Sequence, residues 1–199
     1  MTEEPNVTDN PTLDGYYPAV GEALVAGVSA AKSHARFTGH AHLRIGFNTT
    51  PLFGQATGFL ANLTTPSFIR DVDYIGLDFF PDVFRPVPAP DLAAAVAGLL
   101  RHHREAVLAP AGLADKPLHI TEHGCPTGPD RTPARQAEVV ETVVRTVAAE
   151  QVAVYSHFAL RDADSTMPDL FHQFGLMTDD YTRKPAFTTY RKLIEEFTG

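Results

Sequence analysis

The feature that most constrains the fold of this chain is a regular alternation of short apolar strands with helical segments. Strands are predicted at residues 43–48, 73–80, 118–121 and 152–158. Helical periodicity covers residues 19–38, 55–70, 91–108, 132–150 and 185–197, with Pro66 interrupting the second of these helices. An alternating order of strands and helices predicts a parallel sheet whose crossover connections are right-handed.

The length of the chain limits how much of a closed barrel it holds. A complete (β/α)8 barrel needs about 250 residues, whereas the alternating elements already use most of these 199 residues. No glycine-rich phosphate turn follows a strand, which disfavours a doubly wound nucleotide-binding sheet. The sequence therefore predicts one α/β domain over residues 1–199, a partial (β/α)8 TIM barrel of about half the eight strands or slightly more.

Composition excludes several kinds of partner. The net charge of −8 disfavours binding to nucleic acid. No segment reaches the roughly 18 consecutive apolar residues of a membrane span, and the acidic start of the chain is unlike a signal peptide, so a cytoplasmic protein is expected. The single cysteine, Cys125, excludes an internal disulfide framework. His40 and His42 are spaced like a metal pair, but they precede a strand, so neither a metal nor a cofactor is expected.

The end of the third predicted strand carries the strongest chemical signal. Leu118 to Thr121 is a short apolar strand, and Glu122 follows it directly, before a loop rich in glycine and proline. Side chains alternate along a strand, so Leu118, Ile120 and Glu122 are predicted to share one face. Barrel enzymes keep their catalytic groups at this end of the strands. Glu122 is therefore a candidate catalytic carboxylate, and the adjacent His123 is a candidate for lining the site.

Four motifs, in register along nearly the whole chain, resemble one family of enzymes. Thr2-Glu3-Glu4-Pro5-Asn6 is similar to a Thr-Asn-Glu-Pro signature, and Ile120-Thr121-Glu122-His123-Gly124 is similar to Ile-Thr-Glu-Asn-Gly. The segment 73–80 resembles that family's sixth strand, and residues 174–176 together with residues 183–186 resemble its eighth-strand loop and final helix. The family is the clan A glycoside hydrolases, which are retaining barrel glycosidases such as the family 1 β-glucosidases and family 5 cellulases.

The resemblance implies that the partial barrel runs roughly from the end of strand four to strand eight, and it implies a set of site residues and a carbohydrate substrate. Glu4 takes the position of the general acid/base and Glu122 that of the nucleophile, as retaining hydrolysis requires. Glu3 stands where the family has an asparagine that contacts the sugar 2-hydroxyl, and Phe80 stands where it has a tyrosine beside the nucleophile. The chain lacks tryptophan, so Tyr155 or Phe158 takes the place of the family's stacking platform. Asn48, at the end of its strand, is a candidate for binding sugar hydroxyls.

Two classes of function remain open on the sequence alone. One is an O-glycosyl hydrolase, or the carboxyl-terminal fragment of one. The alternative is a non-catalytic half-barrel remnant that acts as a binding or assembly module, which Glu3, Phe80 and the missing tryptophan favour.

Two further expectations concern association and a polar pair. The barrel-lining face is expected to carry Ile45, Ile75 and Ile120, and its exposure predicts a homodimer that closes the sheet or a poorly soluble chain with little or no activity. The neighbours Arg161 and Asp162 are interpreted as an ion pair that shapes a loop, or else as a substrate contact.

Overall fold

The computed structural model describes residues 4–51 and 55–198. The strands are β1 (Gly46–Thr49), β2 (Tyr74–Asp78), β3 (Leu118–His123) and β4 (Val154–His157), in one parallel sheet of order β1-β2-β3-β4. In the pair of β1 and β2, Asn48 lies opposite Gly76. The predicted α/β class is confirmed, because the strands alternate with helices as in part of a (β/α)8 barrel.

The helices follow the predicted segments closely. They are α1 (Val20–Phe37), α2 (Gln55–Leu63), α3 (Pro66–Asp71), α4 (Leu92–His102), α5 (Pro133–Ala149) and α6 (Pro185–Thr198). A π-helical turn at His103–Leu108 continues α4, and short 3-10 turns occupy Asp14–Tyr16 and Ala89–Asp91. Within the described residues, none of these helices is both long enough and apolar enough to cross a membrane.

Capping residues set two of the helix starts. The Thr65 hydroxyl accepts a hydrogen bond of 3.2 Å from the Phe68 amide, and Pro66 occupies the first turn, so a new helix begins there. The interrupted helix predicted over 55–70 is therefore two helices. Thr132 caps α5 in the same way through the Arg135 amide, at 3.1 Å, and Pro133 follows it in the first turn.

The chain forms two compact units, each with its own core. The first comprises Met1–Asp78 and Leu99–Thr121, and the second comprises Phe79–Gly98 and Glu122–Gly199. In the first unit α1 contacts α2 and α3, and Phe47 of β1 packs against Phe68 of α3 with ring centroids 5.6 Å apart. In the second unit α5 packs against α6 around a buried cluster of Val140, Val144, Leu176, Ala186 and Leu193.

The two faces of β2 and β3 in the first unit differ in polarity. Ile75, Leu77 and Ile120 have no exposed surface. On the opposite face the half-buried ring of Tyr74 stacks on His119, with ring centroids 4.1 Å apart. The expectation that Ile75 and Ile120 line an exposed face is therefore wrong, because these residues belong to the buried face. These buried residues therefore offer no exposed apolar face on which a homodimer could form.

Candidate functional site

A polar cluster in the first unit joins the carboxyl ends of β1, β2 and β3. The Asn48 amide donates a hydrogen bond of 3.2 Å to Asp78 Oδ1, and the Thr121 hydroxyl donates one of 3.0 Å to the same oxygen. The two side chains meet above Gly76, where an added Cβ would lie 2.3 Å from Asn48 Oδ1 and 2.9 Å from Thr121 Cγ2. Only glycine leaves room for this arrangement at that position.

The cluster contains one predicted site residue and two that sequence reasoning missed. Asn48 lies where the sequence predicts it, at the carboxyl end of a strand, and its amide nitrogen is oriented by Asp78. Asp78 itself is buried, and Thr121 is half-buried. A signal for Asp78 is present in the sequence, since Gly76 and Asp78 alternate with the apolar Ile75 and Leu77 and so belong to one polar face.

The regular alternation of β3 is interrupted just before Glu122. Leu118, Ile120 and His123 are buried, whereas Thr121 and Glu122 are both half-buried. Two consecutive residues off the buried face shift the pattern by one position, as a β-bulge does. The prediction that Glu122 shares the face of Leu118 and Ile120 is therefore wrong, and His123 takes the buried position instead.

The backbone on both sides holds Glu122 in place within the second unit. The Glu122 carbonyl accepts a hydrogen bond of 2.7 Å from the Phe79 amide, and the His123 carbonyl accepts one of 2.7 Å from the Phe158 amide. Gly124 follows, where an added Cβ would lie 1.9 Å from the Phe158 carbonyl oxygen. The candidate nucleophile thus lies at a strand end whose backbone is fixed from two neighbouring segments.

His123 is directed into the interior of the second unit rather than toward solvent. Its ring has no exposed surface, and its Nδ1 contacts the Tyr155 hydroxyl, which lies 3.3 Å from His157 Nδ1. Burial lowers the pKa of His123 well below 6.5 and that of His157 to about 4, and it raises the pKa of Tyr155 well above 10. At neutral pH the two histidines are therefore uncharged. In this placement neither His123 nor the Tyr155 hydroxyl is presented to a substrate.

Phenylalanine rings form a cluster in the second unit. The Phe80 ring lies 5.8 Å from Phe174 and 6.3 Å from both Phe84 and Phe158, and the Phe158 and Phe174 rings are 5.5 Å apart. Phe158 is 42% exposed and Phe84 is 62% exposed. The structure thus brings the predicted residues Phe80 and Phe158 together, and it adds Phe84 and Phe174. Exposed aromatic faces of this kind suit stacking on the apolar face of a sugar ring.

The amino-terminal segment is anchored to β1 within the first unit. The buried Asn6 amide donates to the Thr50 carbonyl at 3.1 Å and to its hydroxyl at 3.0 Å, and the Thr50 amide donates back to Asn6 Oδ1 at 3.0 Å. The Glu4 carbonyl accepts from the Val7 amide at 3.0 Å in a turn. Glu4 has a φ of 47°, a strained value for a residue other than glycine. Glu3, the other predicted residue of this segment, lies outside the described residues.

The polar pair predicted at Arg161 and Asp162 has different partners. Asp162 forms a buried ion pair of 2.8 Å with Lys184, and the Arg161 guanidinium donates to the Asp179 carbonyl at 3.0 Å. The interpretation of Arg161 and Asp162 as an ion pair with each other is therefore wrong. Across the described residues, no group of three or more histidine, cysteine, aspartate or glutamate side chains is placed to hold a metal ion.

No protein-family profile and no curated protein sequence matches this chain. Solved structures do. The GH39 enzyme from Xanthomonas axonopodis pv. citri matches with a TM-score of 0.63 and 17% identity over 98% of this chain. A monomeric β-xylosidase from Caulobacter crescentus CB15 matches with a TM-score of 0.59 and 22% identity over 96% of it. A glycoside hydrolase family 17 β-1,3-glucanosyltransferase from Rhizomucor miehei matches with a TM-score of 0.58 and 15% identity over 83%.

These similarities establish the fold and nothing finer. The chain spans 39%, 40% and 56% of the lengths of those three proteins, in the same order. At such low identities the match is one of backbone architecture. The chain therefore has the α/β architecture of glycosidase barrels, and its structural neighbours are glycoside hydrolases.

Proposed function

We propose that this chain is a retaining O-glycosyl hydrolase in which Glu122 is the nucleophile and Glu4 the general acid/base. One observation carries the proposal. Glu122 leaves the buried face of β3 at the strand's carboxyl end, in the unit that also holds the cluster of Phe80, Phe158 and Phe174. The half-buried carboxylate supplies one of the two carboxyl groups that glycoside cleavage requires, and the phenylalanine cluster in the same unit supplies a surface on which a sugar ring can stack.

The chemistry takes two steps. The Glu122 carboxylate attacks the anomeric carbon while the bond to the leaving oxygen breaks, and the Glu4 carboxylic acid gives its proton to that oxygen. Glu4, now a carboxylate, then removes a proton from water as the water oxygen attacks the same carbon. That attack breaks the ester to Glu122 and releases the sugar with its original configuration.

Contacts at the amino-terminal segment support the role of Glu4. The hydrogen bonds of Asn6 to Thr50 attach the segment directly after β1, at the carboxyl end of that strand. Carboxyl ends of parallel strands are where barrel enzymes keep their catalytic groups. The strained backbone of Glu4 is of the kind that is concentrated at functional sites.

The substrate is a neutral β-glycoside that is bound by stacking and by hydroxyl contacts. Phe158 and Phe84 supply exposed aromatic faces, and Asn48 retains its amide oxygen for a sugar hydroxyl. In this proposal His123 and Tyr155 support the site from the interior. The His123 Nδ1 and the Tyr155 hydroxyl contact each other, and this contact holds both side chains in place.

Hydrolysis of aryl β-glycosides by the 199-residue chain and its variants tests the proposal. Glu122→Gln is expected to lose at least about a thousandfold in kcat, because an amide cannot act as the nucleophile. Glu138→Gln, an exposed position on α5, is the matched control and is expected to keep full activity. With Glu122→Ala, added azide is expected to restore turnover and to appear in the product as a glycosyl azide. Wild-type activity in Glu122→Gln would exclude the assignment.

A second candidate function is carbohydrate binding without hydrolysis. Phe80 favours it, because this side chain carries no hydroxyl at the position where the resemblance expects a tyrosine beside the nucleophile. The stacking surface would serve a binding module equally well. Saturable binding of an oligosaccharide by a wild-type chain that hydrolyses no aryl β-glycoside is the result that selects this alternative.

A further inference from the structure

A cavity in the second unit lies outside the residues proposed for catalysis. It has a volume of about 450 Å³ and is formed by two loops, one at residues 127–133 after β3 and one at residues 162–178 after β4, together with Lys184. That volume falls within the roughly 300–1,000 Å³ of small-molecule sites in proteins. We call it the interloop cavity.

Charged groups at the interloop cavity are neutralised within the protein. Lys184 Nζ lies 2.8 Å from Asp162 Oδ1 and 2.9 Å from the Thr127 hydroxyl, and both charged side chains are more than nine-tenths buried. The Arg131 guanidinium donates to the Asp82 carbonyl at 2.7 Å and lies 3.6 Å from its carboxylate. The charges of these groups are already paired within the protein, so they would not attract a charged ligand. A neutral polar ligand fits this cavity better.

The rim of the interloop cavity carries hydroxyl and amide groups in fixed positions. The Thr127 hydroxyl donates to Gln173 Oε1 at 2.9 Å, and the Ser165 hydroxyl donates to Asp162 Oδ2 at 2.8 Å. The Thr166 hydroxyl donates to Asp164 Oδ1 at 2.7 Å. The Thr127 and Ser165 oxygens already accept one hydrogen bond each, from Lys184 and from the Asp179 amide, and a hydroxyl oxygen has two acceptor positions, so one position remains on each. The groups are thus held in place before any ligand binds, which lowers the entropy cost of binding.

The walls between these polar groups are apolar. Pro129, Pro133 and Pro168 present ring surfaces to the interloop cavity. A cavity lined by both fixed polar groups and proline rings matches a neutral pyranose, whose ring has hydroxyls at its edge and C–H groups on its faces.

The interloop cavity is close in sequence to the residues proposed for the reaction. Gln173 belongs to the cavity, and the next residue, Phe174, belongs to the phenylalanine cluster. Thr127 is in the loop that begins after Glu122 and β3. The first loop therefore follows the strand that carries Glu122, and the second contains Phe174 of the phenylalanine cluster.

We propose that the interloop cavity binds one sugar unit of a neutral oligosaccharide, so that the substrate is an oligosaccharide rather than a simple monosaccharide glycoside. This inference rests on the proposed function, because it extends the same substrate beyond the sugar that is cleaved. The bound unit is uncharged; its hydroxyls donate hydrogen bonds to the hydroxyl oxygens of Thr166 and Ser165 and accept one from the side-chain amide of Gln173.

Calorimetry on the Glu122→Gln chain tests this without turnover. The ligands are cellotriose, xylotriose and laminaritriose, each compared with the methyl β-glycoside of its own sugar. At least one trisaccharide is expected to bind about tenfold more tightly than its monosaccharide glycoside, which is the effect of one added subsite of modest strength. Adding Thr166→Trp places an indole in the interloop cavity and is expected to abolish that advantage.

Thr12→Trp is the matched control for Thr166→Trp. Both threonines are exposed, and each donates its amide and hydroxyl to the side-chain oxygen of the residue two positions earlier, Asn10 or Asp164. The control is expected to keep the advantage of the trisaccharide, and melting curves of both variants verify their folding. Equal binding of trisaccharides and monosaccharides, or an advantage that survives Thr166→Trp, overturns the proposal.

The outcomes separate this inference from the proposed function. A trisaccharide advantage that Thr166→Trp removes, in a chain whose wild type hydrolyses no aryl glycoside, supports the interloop cavity and contradicts the hydrolase. Hydrolysis by the wild type that depends on Glu122, without any trisaccharide advantage, supports the hydrolase and overturns the interloop cavity.

Discussion

Acid sensitivity of folding is predicted from His103, a buried histidine whose ring has no hydrogen-bond partner among the described residues. His103 begins the π-helical turn after α4 and is only 1% exposed. Neither of its ring nitrogens has a hydrogen-bond partner within the described part of the chain. Burial lowers the pKa of His103 from 6.5 to about 4, because the charged form loses its hydration there.

The sign of the effect follows from which state binds the proton. Between pH 6.5 and 4 the unfolded chain protonates His103 while the folded chain keeps it neutral, so the free energy of unfolding falls as the pH falls. A pKa of about 4 in place of 6.5 corresponds to a loss of roughly 3 kcal/mol once the pH is below 4. At pH 5 about 2 kcal/mol of that stability is already lost.

Urea unfolding of the wild type and of His103→Leu at pH 7 and pH 5 measures this loss. The free energy of unfolding of His103→Leu is expected to fall by about 2 kcal/mol less than that of the wild type between the two pH values. His34→Leu, which removes an exposed histidine from α1, is the matched control. Equal pH dependence in the wild type and His103→Leu would refute the reasoning, since His103 would then bind its proton alike in both states.

Three other substitutions test parts of the architecture by urea unfolding. Gly76→Ala is expected to cost about 1–3 kcal/mol, because its Cβ would lie 2.3 Å from Asn48 Oδ1. Gly98→Ala in α4, where no atom of the described residues crowds the added Cβ, is expected to stabilise the chain by up to about 1 kcal/mol. Equal effects of the two substitutions would contradict the crowding at Gly76. Tyr155→Phe is expected to cost about 1–3 kcal/mol, because it leaves the buried His123 Nδ1 without the tyrosine hydroxyl as its partner. Tyr181→Phe, at an exposed site, is expected to change the stability little. An unchanged free energy of unfolding in Tyr155→Phe would argue against the contact. Lys184→Met is expected to cost about 3–5 kcal/mol, because it leaves the charge of the buried Asp162 carboxylate without the lysine ammonium that balances it. A loss of stability below about 1 kcal/mol would show that water reaches the pair.

Local patterns were sufficient to predict the elements of this fold. Apolar periodicity separated strands from helices, and the Thr132 cap with Pro133 marked the start of α5. The contacts that build the site join residues that are far apart in the sequence, so local patterns do not predict them. The cluster of Asn48, Asp78 and Thr121 forms only because β1 pairs with β2 in one particular register. That register cannot be predicted from the sequence patterns of the separate strands. In the same way Asp162 pairs with Lys184, 22 residues away, rather than with its neighbour Arg161.

The interruption of alternation at Thr121 and Glu122 links the chemistry of this site to its folding. Uninterrupted alternation would bury Glu122 on the face of Ile120, where an ionised carboxylate is strongly disfavoured. The shift moves the carboxylate off that face and puts His123 there, and a histidine can adapt by remaining neutral, which a nucleophilic carboxylate cannot do. The low pKa of His123 and its contact with Tyr155 are therefore physical consequences of the same shift that moves Glu122 off the buried face. A single-residue shift changes no composition and no motif, which is why the sequence predicted the position of Glu122 along the strand but not its face.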